Sequence, residues 1–275
     1  MVFGFLRPSR GKNFVRVSAN AGAIALVAMA ASLTFAQTKP LNDTGITFCG
    51  GVTTGNNNPC LGTDPAGQDK NYGRDAAAVA GALTKVGGSA GAVGGGPNGF
   101  DFSKIANNGS VIPASAALGT APTDWACTRD NVTGLIWEVK TTSGLRSQAH
   151  TYTWYMTNGP NGNNGTVSGG TCAITGRCDT EKFVADVNAA GLCGAASGWR
   201  MPTVKELEGV VDYGRTSPSI DPSYFPNTPS WRAWSSSPLA LGTSYYAWSV
   251  NFSFGDASAG PPTFINFVRL VRVGQ

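Results

Sequence analysis

Gly198-Trp199-Arg200-Met201-Pro202-Thr203-Val204-Lys205-Glu206-Leu207 is the stretch from which the architecture can be read. Thr203 and Glu206 have the spacing of a capping box, in which each side chain bonds the other residue's backbone N–H. Pro202 stiffens the approach and pushes Met201 towards an extended conformation. Behind the cap, Val204, Leu207, Val210 and Val211 recur at helical spacing, and Gly214 offers a stop. The spacing therefore predicts a strand-like entry, a hard corner and an amphipathic helix. Trp199, just before the corner, is large enough to anchor a core.

Upstream, Asp179 or Thr180 caps a second predicted helix, with Phe183, Val184, Val187 and Ala190 along one face and Gly191 at its end. Leu135, Trp137 and Val139 alternate with Ile136, Glu138 and Lys140, which reads as a strand. Tyr246, Trp248, Val250, Phe252 and Phe254 alternate with Ala247, Ser249, Asn251 and Ser253, the pattern of a half-buried antiparallel strand. The run Phe264 to Val273 is apolar on both faces, as in a strand central to its sheet. Two helices on a small, mostly antiparallel sheet with long loops make an α+β domain.

The rest of the chain is poorer in structure-forming signals. Only 13% of residues are charged, against 37 glycines and 16 prolines, so loops are extensive. Residues 37–120 form a Gly/Ala/Asn-rich segment with little core of its own. Within it Ala76 to Gly96 reads as a flexible surface loop, and Phe100, Phe102 and Ile105 as a short added strand. The compact domain is expected from about residue 121, near Trp125.

Residues 1–36 carry the basic lead Arg7, Arg10, Lys12 and Arg16, then a short apolar run from Ala21 to Phe35, then Thr34-Phe35-Ala36. This is the layout of a secretory signal, with an uncleaved anchor as the alternative. The run is short of the ~20 residues a membrane span needs, so no span is expected in the mature chain. The whole chain has 20 Lys and Arg against 16 Asp and Glu, and the excess of four lies in the signal. A mature chain balanced in charge has no general attraction for nucleic acid.

All six cysteines follow the signal, and an exported chain favours disulfides. Cys49–Cys60 and Cys172–Cys178 would staple short loops, and Cys127–Cys193 would tie the opening strand to a helix end. Six cysteines allow fifteen pairings, and spacing does not select among them. Cys178 and Cys193 bracket a helix too long for a disulfide between them. With His150 the single histidine and no Cys-x-x-Cys pair, no metal site and no cofactor is expected.

One family pattern runs through Asp130-Asn131-Val132-Thr133-Gly134-Leu135-Ile136-Trp137-Glu138, Leu192-Cys193-Gly194, the Trp199 to Leu207 corner, Tyr224-Phe225-Pro226, Trp234-Ser235-Ser236 and Val268-Arg269-Leu270-Val271-Arg272. Over residues 121–273 the chain resembles the Lcl C-terminal domain family of bacterial proteins. Leu41-Asn42-Asp43-Thr44-Gly45-Ile46 and Gly73-Arg74-Asp75 look like leader segments found with such domains. Ala233 stands where many members have an aromatic residue, and Leu270 where many have cysteine. The resemblance implies a C-type-lectin-like architecture, related in outline to the formylglycine-generating-enzyme fold, in exported or surface proteins. The family's named member is an adhesin for sulphated polysaccharide. The Glu-Pro-Asn, Gln-Pro-Asp and Trp-Asn-Asp motifs of calcium-dependent lectins are missing, and no cysteine pair follows Cys193 to suggest formylglycine chemistry.

Among individual residues, Arg200 suits a carboxylate or sulphate ligand, or else a structural ion pair with Glu138 or Glu206. Arg269 and Arg272 read as paired at the sheet edge. Trp137, Trp199, Pro202, Thr203, Glu206 and Trp234 are assigned to structure, and Tyr246 to the core. Trp231 and Tyr245 are free of any strand or helix period and could stack on sugar, with Arg232 adding a charged hydrogen bond from the loop side around Ser217 to Leu241. Ser235-Ser236-Ser237 has no histidine partner, and no carboxylate pair has glycosidase spacing. The expectation is an exported, non-catalytic module that binds polysaccharide or a surface protein. The alternative is a structural or protein-interaction domain of the cell envelope without a sugar ligand.

Overall fold

A computed structural model describes residues 41–52, 55–86, 94–159, 164–241 and 244–274. The signal-sequence reading of residues 1–36 lies outside them. Among the described residues no helix is long and apolar enough to cross a membrane.

The elements in chain order are β1 (Cys49–Gly51), β2 (Gly55–Asn57), α1 (Gly73–Val79), β3 (Gly94–Gly95), β4 (Phe102–Ala106), β5 (Val111–Ile112), β6 (Trp125–Asp130), β7 (Leu135–Glu138), α2 (Thr180–Ala189), α3 (Val204–Glu208), β8 (Arg232–Leu241), β9 (Ser244–Asn251), β10 (Ala257–Gly260) and β11 (Val271–Val273). The main sheet runs β11-β7-β6-β4-β3, with β5 also on β4; β10-β9-β8 form a second sheet and β1-β2 a hairpin. All these pairings are antiparallel, and the fold is α+β.

The main sheet is buried on both faces. Ile136 and Leu270 join one core with Trp154, Phe183, Val187, Trp199 and Trp234. Their neighbours Trp137 and Val271 join the other, with Leu207, Val211, Phe225 and Phe252. Strand β4 lies inside this sheet, paired with β6 across residue 121, and every residue of it is buried. The packed core thus begins at Phe100, ahead of the expected start near Trp125.

The two cores also correct the expected faces of β9. Ala247 and Ser249 are buried, then Val250 and Phe252, while Tyr246 and Trp248 are only half-buried. Ala247 faces one core and Val250 the other, so a single apolar face does not describe the strand. Phe254, expected inside, is exposed in the turn beyond it. The terminal run is strand only at Val271–Val273, and Phe264 and Ile265 are exposed.

Helix α2 starts where Asp179 accepts from the amide of Lys182 at 2.9 Å and is followed by Gly191 in the left-handed region. Helix α3 ends at Glu208, earlier than its spacing predicts. Beyond it the amide of Asp212 bonds the Ser219 carbonyl at 3.0 Å, and that of Tyr213 the Thr44 carbonyl at 2.8 Å. These tertiary acceptors replace the next helical turn, and Val210 and Val211 are buried from a turn instead.

A third helix, α1, occupies the start of the stretch read as a flexible loop. Its alanines favour helix, and Asp43 accepts from the Asp75 amide at 2.9 Å in its first turn. The two leader segments meet there and dock on the rest of the chain. Asp75 accepts from the Gly45 and Gly99 amides at 2.7 and 2.6 Å, and Asn42 donates to Asp130 at 2.7 Å. Gly45, at φ +79°, lies against Asp212 so closely that a Cβ would run into the carboxylate. The disulfides are Cys49–Cys60, Cys127–Cys193 and Cys172–Cys178.

Candidate functional site

The corner at Trp199 has a fully bonded frame. Arg200 and Val271 exchange both backbone bonds at 3.0 Å, the Trp199 amide donates to Asn188, and the indole N–H donates to the Leu192 carbonyl at 3.1 Å. Thr203 and Glu206 form the capping box, with Thr203 N–H to Glu206 at 2.8 Å and the return bond at 3.2 Å. Arg200 closes on the same carboxylate with two bonds, 2.8 and 2.6 Å. Of its two expected acidic partners it takes Glu206. Burial pushes the Glu206 carboxyl up, but Arg200 and the Thr203 bonds outweigh it, so Glu206 ionises below its ordinary value. This pair uses the guanidinium edge that a ligand carboxylate or sulphate would need.

Beside the corner lies an apolar cleft of about 460 Å³, floored by Trp154, Met156, Val184 and Met201, with Arg200 and Ser236 at its rim. Trp154 donates its indole N–H to the Ser235 carbonyl at 2.8 Å, and Trp234 to the Tyr152 carbonyl at 2.9 Å. These bonds cross-link the Trp234-Ser235-Ser236 strand to the 152–154 segment.

The three residues proposed as ligand contacts are not brought together. Arg232 faces Asn251 across the hairpin, whereas Tyr245 faces Ala240. At the strand rise this separates them by about 20 Å. Tyr245 stands edge-on to Trp154 with ring centroids 5.4 Å apart, and its hydroxyl is buried without a partner. Burial raises its pKa to about 12. It is a packing residue beside the first core, and the expectation of a free ring is corrected. Trp231 is 60% exposed, and Phe254, at the same hairpin end, is 65% exposed. Arg232 is held next to them by Asp256 at 3.4 Å and by a hydrogen bond to the Ser258 hydroxyl.

Trp137 and Trp234 are fully buried. Arg269 is also fully buried, not paired at an edge as expected. It donates to the Glu138 carbonyl and the Thr228 hydroxyl, both at 2.6 Å, and its Nε has no partner. Next to it the buried Lys140 ammonium bonds the Glu138 carboxylate at 2.8 Å. The other Glu138 oxygen accepts from the Leu270 amide at 2.9 Å. Burial lowers Lys140 to about 8 and Arg269 to about 10, with Glu138 opposing both shifts. Burial lowers Arg146 too, and Glu138 opposes that shift as well. Sequence alternation placed Glu138 and Lys140 on a second face of the strand and did not reveal that this face is covered.

Among the described residues, two groups of side chains have ligand atoms close enough for a cation. In one, Cys49 and Cys60 are consumed by their disulfide. In the other, Asp43 and Asp75 already cap α1 and the leader turns, with Asp69 alongside. Burial raises the Asp75 pKa, and neighbouring Asp43 adds to the shift.

The Lcl C-terminal domain matches residues 126–272, more than half of the chain. The chain belongs to the Lcl C-terminal domain family. No curated protein and no solved structure matches it.

Proposed function

We propose that this chain is exported after removal of residues 1–36 and serves as a non-catalytic binding module of C-type-lectin-like architecture, with a glycan of a cell surface as its ligand. Trp231 carries the reading. Trp125, Trp137, Trp154, Trp199 and Trp234 are buried and Trp248 is half-buried, while Trp231 presents most of its indole to solvent. A flat exposed ring beside polar Arg232, Asn251 and Asp256 suits the apolar face of a pyranose and its hydroxyls. Asp256 balances Arg232, so binding should be modest and only weakly sensitive to salt. A protein ligand on the same aromatic end is the alternative, with the domain then structural in the envelope.

A glycan array probed with the disulfide-intact mature protein tests this, followed by Trp231→Ala. The reading requires binding to disappear with the melting temperature nearly unchanged. Binding intact in the variant, or no glycan bound by the parent, would refute it.

A further inference from the structure

A polar cleft of about 620 Å³ lies between the loop after Cys193 and the strands carrying Arg129, Ile136 and Arg272. It shares no residue with the Trp231 end. Arg272 is the notable group in it. The residue is only 9% exposed, and its guanidinium lies over the Trp199 ring, 5.5 Å from the centroid. Among the described residues its Nη atoms reach only backbone carbonyls, Val273 at 3.2 Å and Cys193 at 3.5 Å, and its Nε has no partner.

Among the described residues no carboxylate lines the cleft. Burial lowers the Arg272 pKa, and the neighbouring Arg129 adds to the shift. Lys140 is paired with Glu138 and Arg200 with Glu206, whereas Arg269 and Lys104, like Arg272, have no ion pair among the described residues. A charge taken from water without a counter-charge is costly, so Arg272 is poised to gain from an anion. The opposite wall supplies further donors. The amides of Ala196, Ser197 and Gly198 have no acceptor among the described residues, and all three residues are exposed. Consecutive solvent-exposed amides without a protein acceptor, beside a guanidinium, are the elements of an oxyanion site.

We propose that this cleft binds an oxyanion, the carboxylate or phosphate group of a ligand, between the Arg272 guanidinium and the 196–198 loop amides. The guanidinium is already held over the Trp199 ring, so little side-chain freedom is lost on binding. The site is independent of the sugar reading at Trp231.

The test is amide NMR and calorimetry on the disulfide-intact chain, titrated with inorganic phosphate or sodium glucuronate at constant ionic strength set with potassium chloride. Saturable shifts at Ala196, Ser197 and Gly198 are expected with one or both anions. Phosphate alone or glucuronate alone identifies which group the ligand carries. Arg272→Gln should weaken binding roughly tenfold or more, since a hydrogen bond to a charged group is lost. Because that variant removes packing on Trp199, Ser197→Asp provides a second arm on an exposed residue. Its carboxylate should compete for the cleft and abolish the saturable response. Shifts that rise linearly and are matched by chloride would overturn the proposal. So would undiminished saturable binding in folded Arg272→Gln or in Ser197→Asp.

Discussion

Replacing Glu138 by Gln should damage the protein more than replacing its partner Lys140 by Met. Both side chains are fully buried and joined at 2.8 Å, so a symmetrical ion pair would lose similar energy from either end. The surroundings are not symmetrical. Lys140, Arg146 and Arg269 all depend on the one carboxylate of Glu138. Glu138→Gln leaves these cations without it, and an uncompensated buried charge costs about 3–5 kcal/mol. Lys140→Met leaves Glu138 with the Leu270 amide and the two guanidinium charges, and removes an ammonium that burial already disfavours. Its cost should be about 1.5–3 kcal/mol, that of one charge-assisted hydrogen bond. The double variant Glu138→Gln/Lys140→Met should cost less than the sum of the two, because it no longer strands the ammonium. Denaturant unfolding of the disulfide-intact proteins at pH 7 measures all three. Equal costs for the single variants, or strict additivity in the double, would refute the account of one acid serving several buried cations.

Lys140 also sets a pH dependence. Its folded pKa is about 8 against 10.5 for the ordinary side chain, so between these values the unfolded chain binds a proton that the folded chain does not. Stability should therefore rise from about pH 8 to 10 and be flat in this group's contribution below 8, where both states hold the proton and the burial cost is fully present, and the rise should vanish in Lys140→Met. Thermal unfolding across that range checks it. Among the disulfides, Cys127–Cys193 spans 66 residues and Cys172–Cys178 only 6. Replacing both cysteines of the first by alanine should cost about 4 kcal/mol and of the second about 2 kcal/mol by loop entropy, measured from denaturant midpoints.

Local chemistry was the legible part of the site and the fold. Asp179 and Gly191 delimit α2, and Thr203 with Glu206 starts α3, because caps involve residues three or four apart that the chain itself brings together. The Trp199 corner and the family pattern around it belong to the same class of information. The three ligand contacts were less legible. Trp231 and Tyr245 both lacked a period, yet one is open to water and the other packs on Trp154. The absence of periodicity says that no helix or strand face claims a side chain, not what else covers it.

By itself the sequence determined the starts of α2 and α3, the alternation of β7, the family and the chemistry available: six cysteines, one histidine and few charges. The tertiary structure decided which faces are covered. A strand's alternation is the same whether one side or both meet a core, so the burial of Glu138 and Lys140 followed only once α2 and the 207–225 segment were seen to enclose the main sheet. The end of α3 was likewise set by acceptors far away in the chain, Thr44 and Ser219, which no local rule contains. Arg272 is the clearest instance. Its sequence neighbours suggest an edge ion pair, and only the return of the Cys193–Gly198 loop over the sheet leaves it buried on Trp199 with no acid to face among the described residues.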